Sequence, residues 1–131
     1  PEEIKERGVL VGKQDIRQLK KYIIRYWVDH IEEVLSKHNV KAEEIDYVIP
    51  HVSSMFFYGK LNDEITARGI ALTKEKWFTN LTSVGNIGSA AIYVALDELI
   101  RTKAIKQGQK ILLLVPESGR FSYGSMLLTA Q

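Results

Sequence analysis

The chain has 131 residues, 45% of them hydrophobic and 26% charged, with a formal net charge of +2. That composition suits one compact domain with a real core. It excludes a nucleic-acid binder on charge, because no dense Lys/Arg block with interleaved aromatics exists, and it excludes a membrane helix, because no apolar run approaches roughly 20 residues. The chain contains no cysteine, so disulfides and thiolate metal sites are ruled out and a cytoplasmic location is expected. It opens on Pro1 in the charged stretch PEEIKERG, which is no signal peptide, and reads as a fragment or processed product.

Residues 1–13 show no clear period and read as a linker or a strand remnant. From Gln14 to about His38 the apolar residues Ile16, Leu19, Ile23, Trp27, Ile31, Val34 and Leu35 recur at spacings of three and four. This is one face of a long amphipathic helix, buried against a sheet, with Asn39 as its C-terminal cap. Tyr47–Ile49 favour a short strand that Pro50 stops. Residues 53–68 form a second predicted helix, capped by Ser53 or Ser54 and ended by Gly69. KWFTNL reads as a second short strand and SVGNIGS as a small-residue turn. A third helix is expected over 87–102, apolar around much of its circumference at the start and therefore buried there. KILLLVP is nearly continuous in apolar residues, as a strand covered on both faces is. ESGR then turns the chain into a last strand, FSYGSMLLTA, antiparallel to its predecessor. The order α, β, α, β, α, β, β predicts a layered α/β domain.

His51 follows a strand directly, where sites in α/β sheets gather, and its ordinary pKa near ~6.5 suits hydrogen bonding to a developing anion. A turn histidine bonded to backbone explains the same position. Asn86 lies at a helix start, where it either caps the helix or donates its amide to an oxyanion. Gly119, in the turn PESGRFSYG, either permits an unusual backbone angle or points an N–H into a pocket. His30 and His38 look like surface or helix-end residues and have no metal spacing with His51. Trp27 and Trp77 belong to the core. No phosphate-loop, dinucleotide-binding or nucleophile-elbow motif occurs.

Taken in order, YVIPHVSS, NLTSVGNIGSAAIYVALDEL and IKQGQKILLLVPESGRFSYGSMLL resemble the C-terminal half of a β-ketoacyl-acyl-carrier-protein synthase III, of the thiolase superfamily. The resemblance runs over residues 14–130 and is strongest from Asp46 onward. It implies that 14–131 is a thiolase-like half of a longer condensing enzyme: an α-β-α layer set with a mixed, mostly parallel sheet. In that family the first half brings a nucleophilic cysteine, and the second brings a histidine and an asparagine, here His51 and Asn86. A backbone oxyanion donor falls at Gly119.

The implied reaction is a decarboxylative Claisen condensation between an acyl thioester and a malonyl thioester, in fatty-acid or polyketide-type biosynthesis. His51 and Asn86 donate to the thioester oxygen as the enolate forms. Substrates arrive on acyl-carrier protein or coenzyme A, no cofactor is held covalently, and the full enzyme is a homodimer acting on neither membrane nor nucleic acid. Without the cysteine half the fragment is expected to be inactive.

The sequence departs from the family pattern in four places. His-Gln-Ala-Asn becomes His51-Val52-Ser53-Ser54, which puts Ser54 where a supporting asparagine stands. Phe56 replaces an arginine used for the carrier protein. Ser118 and Arg120 flank Gly119 in a turn that is usually richer in glycine, and the spacing from His51 to Asn86 is a few residues longer. These changes point to a divergent, secondary-metabolite type of enzyme. Two other readings stay open: a non-catalytic thiolase-like partner subunit, and an unrelated α/β binding domain.

Overall fold

The computed structural model describes residues 15–131, so the reading of 1–13 as linker or strand remnant lies outside the described residues. Helix α1 spans Ile16–Lys37. Its start is set by Asp15, whose carboxylate accepts from the N–H groups of Arg17 and Gln18 at 3.0 and 3.2 Å. Its end is set by Asn39, which adopts a φ of +51° while its N–H donates to the Ser36 carbonyl. Strand β1 is Tyr47–Pro50, and α2 is Met55–Ala67, beginning after Ser54. A short helix α3 covers Leu81–Val84, and α4 covers Ala91–Thr102. Strands β2 (Lys110–Glu117) and β3 (Ser122–Thr129) close the chain.

The three strands form one sheet in the order β1-β2-β3. β1 runs parallel to β2, pairing Tyr47 with Ile111 and Pro50 with Leu114, and β2 runs antiparallel to β3, pairing Leu112 with Leu127. Strand alternation splits β2 between two cores. Leu112 and Leu114 face α1 and α2, packing with Trp27, Val28, Ile31, Val48, Leu61 and Ile65. Ile111 and Leu113 face α4, packing with Ile49, Ile92, Ala95 and Leu99. The result is the expected α-β-α layering with a mixed sheet, though with one parallel and one antiparallel pairing the described strands are not mostly parallel, because the short turn after β2 returns the chain as β3. Arg68, at the end of α2, fastens the first layer by donating to Asp29 (2.6 Å) and Glu32 (2.7 Å) of α1.

Three further expectations need correction. KWFTNL forms no strand: Trp77 makes a single parallel bridge to Val48, the Phe78 N–H donates to the Val48 carbonyl, and α3 begins at Leu81. Two half-buried aromatics and one backbone bond give strand-like chemistry without the length for a ladder. The start of the third helix is not buried, since Thr82–Ala90 are all exposed in this chain. His30 is not a surface residue: it is half-buried, stacks on Tyr123 with ring centroids 5.9 Å apart, and leaves a buried Nε2 without a partner.

Candidate active site

The site lies at the carboxyl ends of β1 and β2, where parallel strands open a crevice. Pro50 ends β1, yet the ladder continues one residue further, because the His51 N–H donates to the Leu114 carbonyl at 2.8 Å. That bond fixes the histidine backbone, and Val52 anchors the next position in the core. The imidazole of His51 is half-buried, and burial holds its pKa below the ordinary 6.5. At neutral pH the ring is therefore uncharged, with one N–H to donate and one nitrogen to accept.

Asn86 reaches the crevice from the other side of the chain. Gly85 precedes it with a φ of +82°, a conformation that side chains resist, so glycine allows the turn from α3 into Asn86. The Asn86 Oδ1 accepts from the Gly88 N–H at 3.1 Å. This bond fixes which end of the amide is oxygen and leaves the NH2 as the group that can donate to a ligand. The loop itself is tied down from within. Asn80, the one buried polar residue among those described, donates its Nδ2 to Glu98 Oε2 of α4 at 2.7 Å. The Asn80 carbonyl also accepts from the N–H groups of Ser83 and Val84.

His51 and Asn86, 35 positions apart in the chain, line one cleft of about 340 Å³ with Ser53, Gly88, Ser89, Glu117 and Ser118. Gly119 is not among its lining residues. The Gly119 N–H donates at 2.6 Å to Glu117 Oε1, and the Arg120 N–H donates at 2.8 Å to Glu117 Oε2. These two amides, Gly119 first, hold the Glu117 carboxyl below the usual carboxylate range. Ser54 starts α2 without a side-chain capping bond and does not line the cleft, whereas its neighbour Ser53 does. Sequence reasoning missed Ser53, Glu117 and the Asn80–Glu98 bond. Glu117 had a readable signal, an acid placed to reach the amides two and three residues on.

A larger hollow of about 430 Å³ lies between the C-terminal half of α1 and the sheet, lined by Val34, Leu35, Val40 and Leu127 among others. Its polar lining is His38 and Ser125 alone, fewer polar groups than the smaller cleft brings together, so the smaller cleft is the better candidate. Among the described residues, no group of three or more acidic, histidine or cysteine side chains could hold a metal ion, and no helix is long and apolar enough to cross a membrane.

The arrangement suits hydrogen-bond donation to an oxygen that gains negative charge: a neutral imidazole and a carboxamide lining one cleft. Residues 35–130 match the family described as 3-oxoacyl-[acyl-carrier-protein (ACP)] synthase III C terminal. A β-ketoacyl-[acyl-carrier-protein] synthase III of Clostridium acetobutylicum is 30% identical over 94% of this chain and 37% of its own length. The corresponding protein of Aquifex aeolicus is 33% identical over 86% of this chain and 34% of its own. The crystal structure of the Aquifex aeolicus VF5 synthase III superposes with a TM-score of 0.75 at 32% identity, over 89% of this chain and 36% of that one. A tetronic acid condensing enzyme, at 17% identity and a TM-score of 0.74, shares the fold. The chain thus spans about a third of the length of the relatives it matches. It belongs to the 3-oxoacyl-[acyl-carrier-protein] synthase III C-terminal family, a thiolase-like α/β fold.

Proposed function

We propose that this chain supplies the enolate-forming half of a condensing site that joins an acyl thioester to a malonyl thioester. The observation that carries the reading is the shared cleft of His51 and Asn86, one neutral by burial and the other left with only its NH2 to donate. As malonyl loses carbon dioxide, electrons move onto the thioester oxygen, and the two donors stabilise the resulting enolate. The enolate carbon then attacks the acyl thioester and displaces a thiolate. No residue of this chain can carry that acyl group as a cysteine thioester, so the nucleophile comes from polypeptide outside it, and the chain alone is inactive.

The exposed loop 82–90 and the outward residues of α4, Tyr93 (68% exposed) and Ile100 (54%), form a surface suited to cover by that other half. Substrates are coenzyme A or carrier-protein thioesters. Phe56, where the family's arginine is replaced, is exposed and has the ammonium groups of Lys20 and Lys60 at 5.4 and 5.1 Å from its ring, which gives an acidic carrier two cations to meet.

The test is His51→Ala in the full-length protein. Release of carbon dioxide from malonyl-coenzyme A should fall by about two to three orders of magnitude, the scale of losing one oriented donor, while acyl loading of the cysteine is largely retained. Equal loss of both steps would show that His51 serves the fold. A second reading, a thiolase-like subunit without chemistry of its own, is favoured by the engaged Gly119 amide; full-length protein that neither loads an acyl group nor decarboxylates malonyl-coenzyme A would select it.

A further inference from the structure

The turn after β2 contains a contact that the condensing reaction does not call for. Glu117 sits on the wall of the His51–Asn86 cleft, and its two carboxylate oxygens take the N–H groups of Gly119 and Arg120. A β-carbon built onto Gly119 would stand 2.8 Å from Glu117 Oε1, so the missing side chain at 119 is what lets the carboxylate fold back over the turn. The Gly119 N–H is also the group expected to meet the acyl oxyanion. We propose that Glu117 masks this amide, so that it restrains acyl transfer and selects among acyl donors; the proposal rests on the condensing reading above.

The physical argument is a competition for one donor. A charged carboxylate accepts an N–H roughly twice as strongly as a neutral carbonyl does. A resting thioester oxygen does not displace it. An oxyanion developing at the same N–H would lie beside the Glu117 charge, and the repulsion would cancel much of the stabilisation that an oriented amide otherwise gives. The amide becomes available when the carboxylate swings away. A donor whose acyl group or thioester arm offers its own N–H, hydroxyl or cation to Glu117 draws it off the turn, whereas a plain alkyl chain does not. Glu117 acts through Gly119 and is thus a residue that sets specificity, not one that reacts.

The experiment compares Glu117→Ala and Glu117→Gln with the unaltered full-length protein, using a straight-chain acyl-coenzyme A as probe. Acyl loading is followed by intact mass and malonyl decarboxylation by carbon dioxide release, with a thermal melt on each variant. Removing the mask should raise the ratio of loading to decarboxylation about tenfold in Glu117→Ala, the size of an energy difference near 1.4 kcal/mol. Glu117→Gln, which keeps a weaker acceptor on the turn, should give a smaller gain. A folded Glu117→Ala protein whose ratio is unchanged or lower overturns the proposal, as does a variant that loads no acyl group when the unaltered protein loads none. Failure of the condensing reading looks different: decarboxylation then survives His51→Ala, whatever residue stands at 117.

Discussion

The two faces of the sheet are finished to different degrees. On one, α1 and α2 cover Leu112 and Leu114 completely, Trp27 is 1% exposed, and Arg68 locks the helices together across three carboxylates. On the other, α4 seals Ile111 and Leu113 but turns Tyr93 and Ile100 outward, and the loop before it, Thr82–Ala90, buries no residue at all. The first face is a packed core around Trp27, with the hollow beside Val34, Leu35 and Leu127 left open at one end. The second is half of such a core, and the candidate site lies along its margin, where Asn86 stands in the exposed loop. The larger buried cluster thus lies on the first face, and the candidate cleft lies at the edge of the second.

Substitutions should separate these roles by size. The largest effect is expected from Trp27→Ala in the packed core, a loss of about 3–5 kcal/mol in unfolding free energy by denaturant titration. A loss under 1 kcal/mol would mean that this face is looser than its burial implies. Next is Asn80→Leu, which strands the Glu98 carboxylate it binds and should cost about 1–3 kcal/mol. In the full-length protein the same change should slow malonyl decarboxylation through the Asn86 loop. The paired exchange Asn80→Asp with Glu98→Gln, which reverses donor and acceptor, should restore part of both. If it restores stability but not rate, the bond serves only packing.

A smaller effect follows from pH. Burial lowers the pKa of both His30 and His51 below 6.5. The unfolded chain therefore takes up protons first as pH falls, so stability is full above 6.5 and declines below it. Melting temperatures measured from pH 7.5 to 5 should fall over that window, and His30→Phe, which keeps an aromatic ring against Tyr123, should flatten part of the slope. The smallest effect is expected at Tyr93→Ser on the unfinished face, within about 0.5 kcal/mol in this chain. The same substitution should destabilise the full-length protein, where that surface is covered. Equal costs in both would remove the distinction between the faces.

Most of the layering was legible because it follows from periodicity. The three- and four-residue spacing from Leu19 to Leu35 and the unbroken apolar run of β2 each have one physical interpretation. Trp77 and Phe78 misled because aromatic residues favour strands by composition, while a ladder also needs length and a partner, and here a single bridge suffices. His30 was misjudged because its neighbour Tyr123 is 93 positions away, and no local pattern reports such a contact. At the site, the ordered motifs single out His51 and Asn86, and the structure brings both to one cleft; the roles given to them belong to the proposal. Ser54 was named as a supporting residue behind His51, while Ser53, which no motif singled out, is the serine that lines the cleft. Gly119 was placed by the family resemblance, but which acceptor takes its N–H depends on the side chain of Glu117, and only coordinates reveal that.

The central claim is that two donors from distant parts of the chain meet one thioester oxygen. Its most direct test is a crystal structure of the full-length protein with an unreactive amide analogue of malonyl-coenzyme A. The account predicts an imidazole nitrogen of His51 and the Asn86 Nδ2 both within about 2.7–3.1 Å of the analogue's carbonyl oxygen. An analogue bound in the cleft with that oxygen facing neither side chain would contradict it.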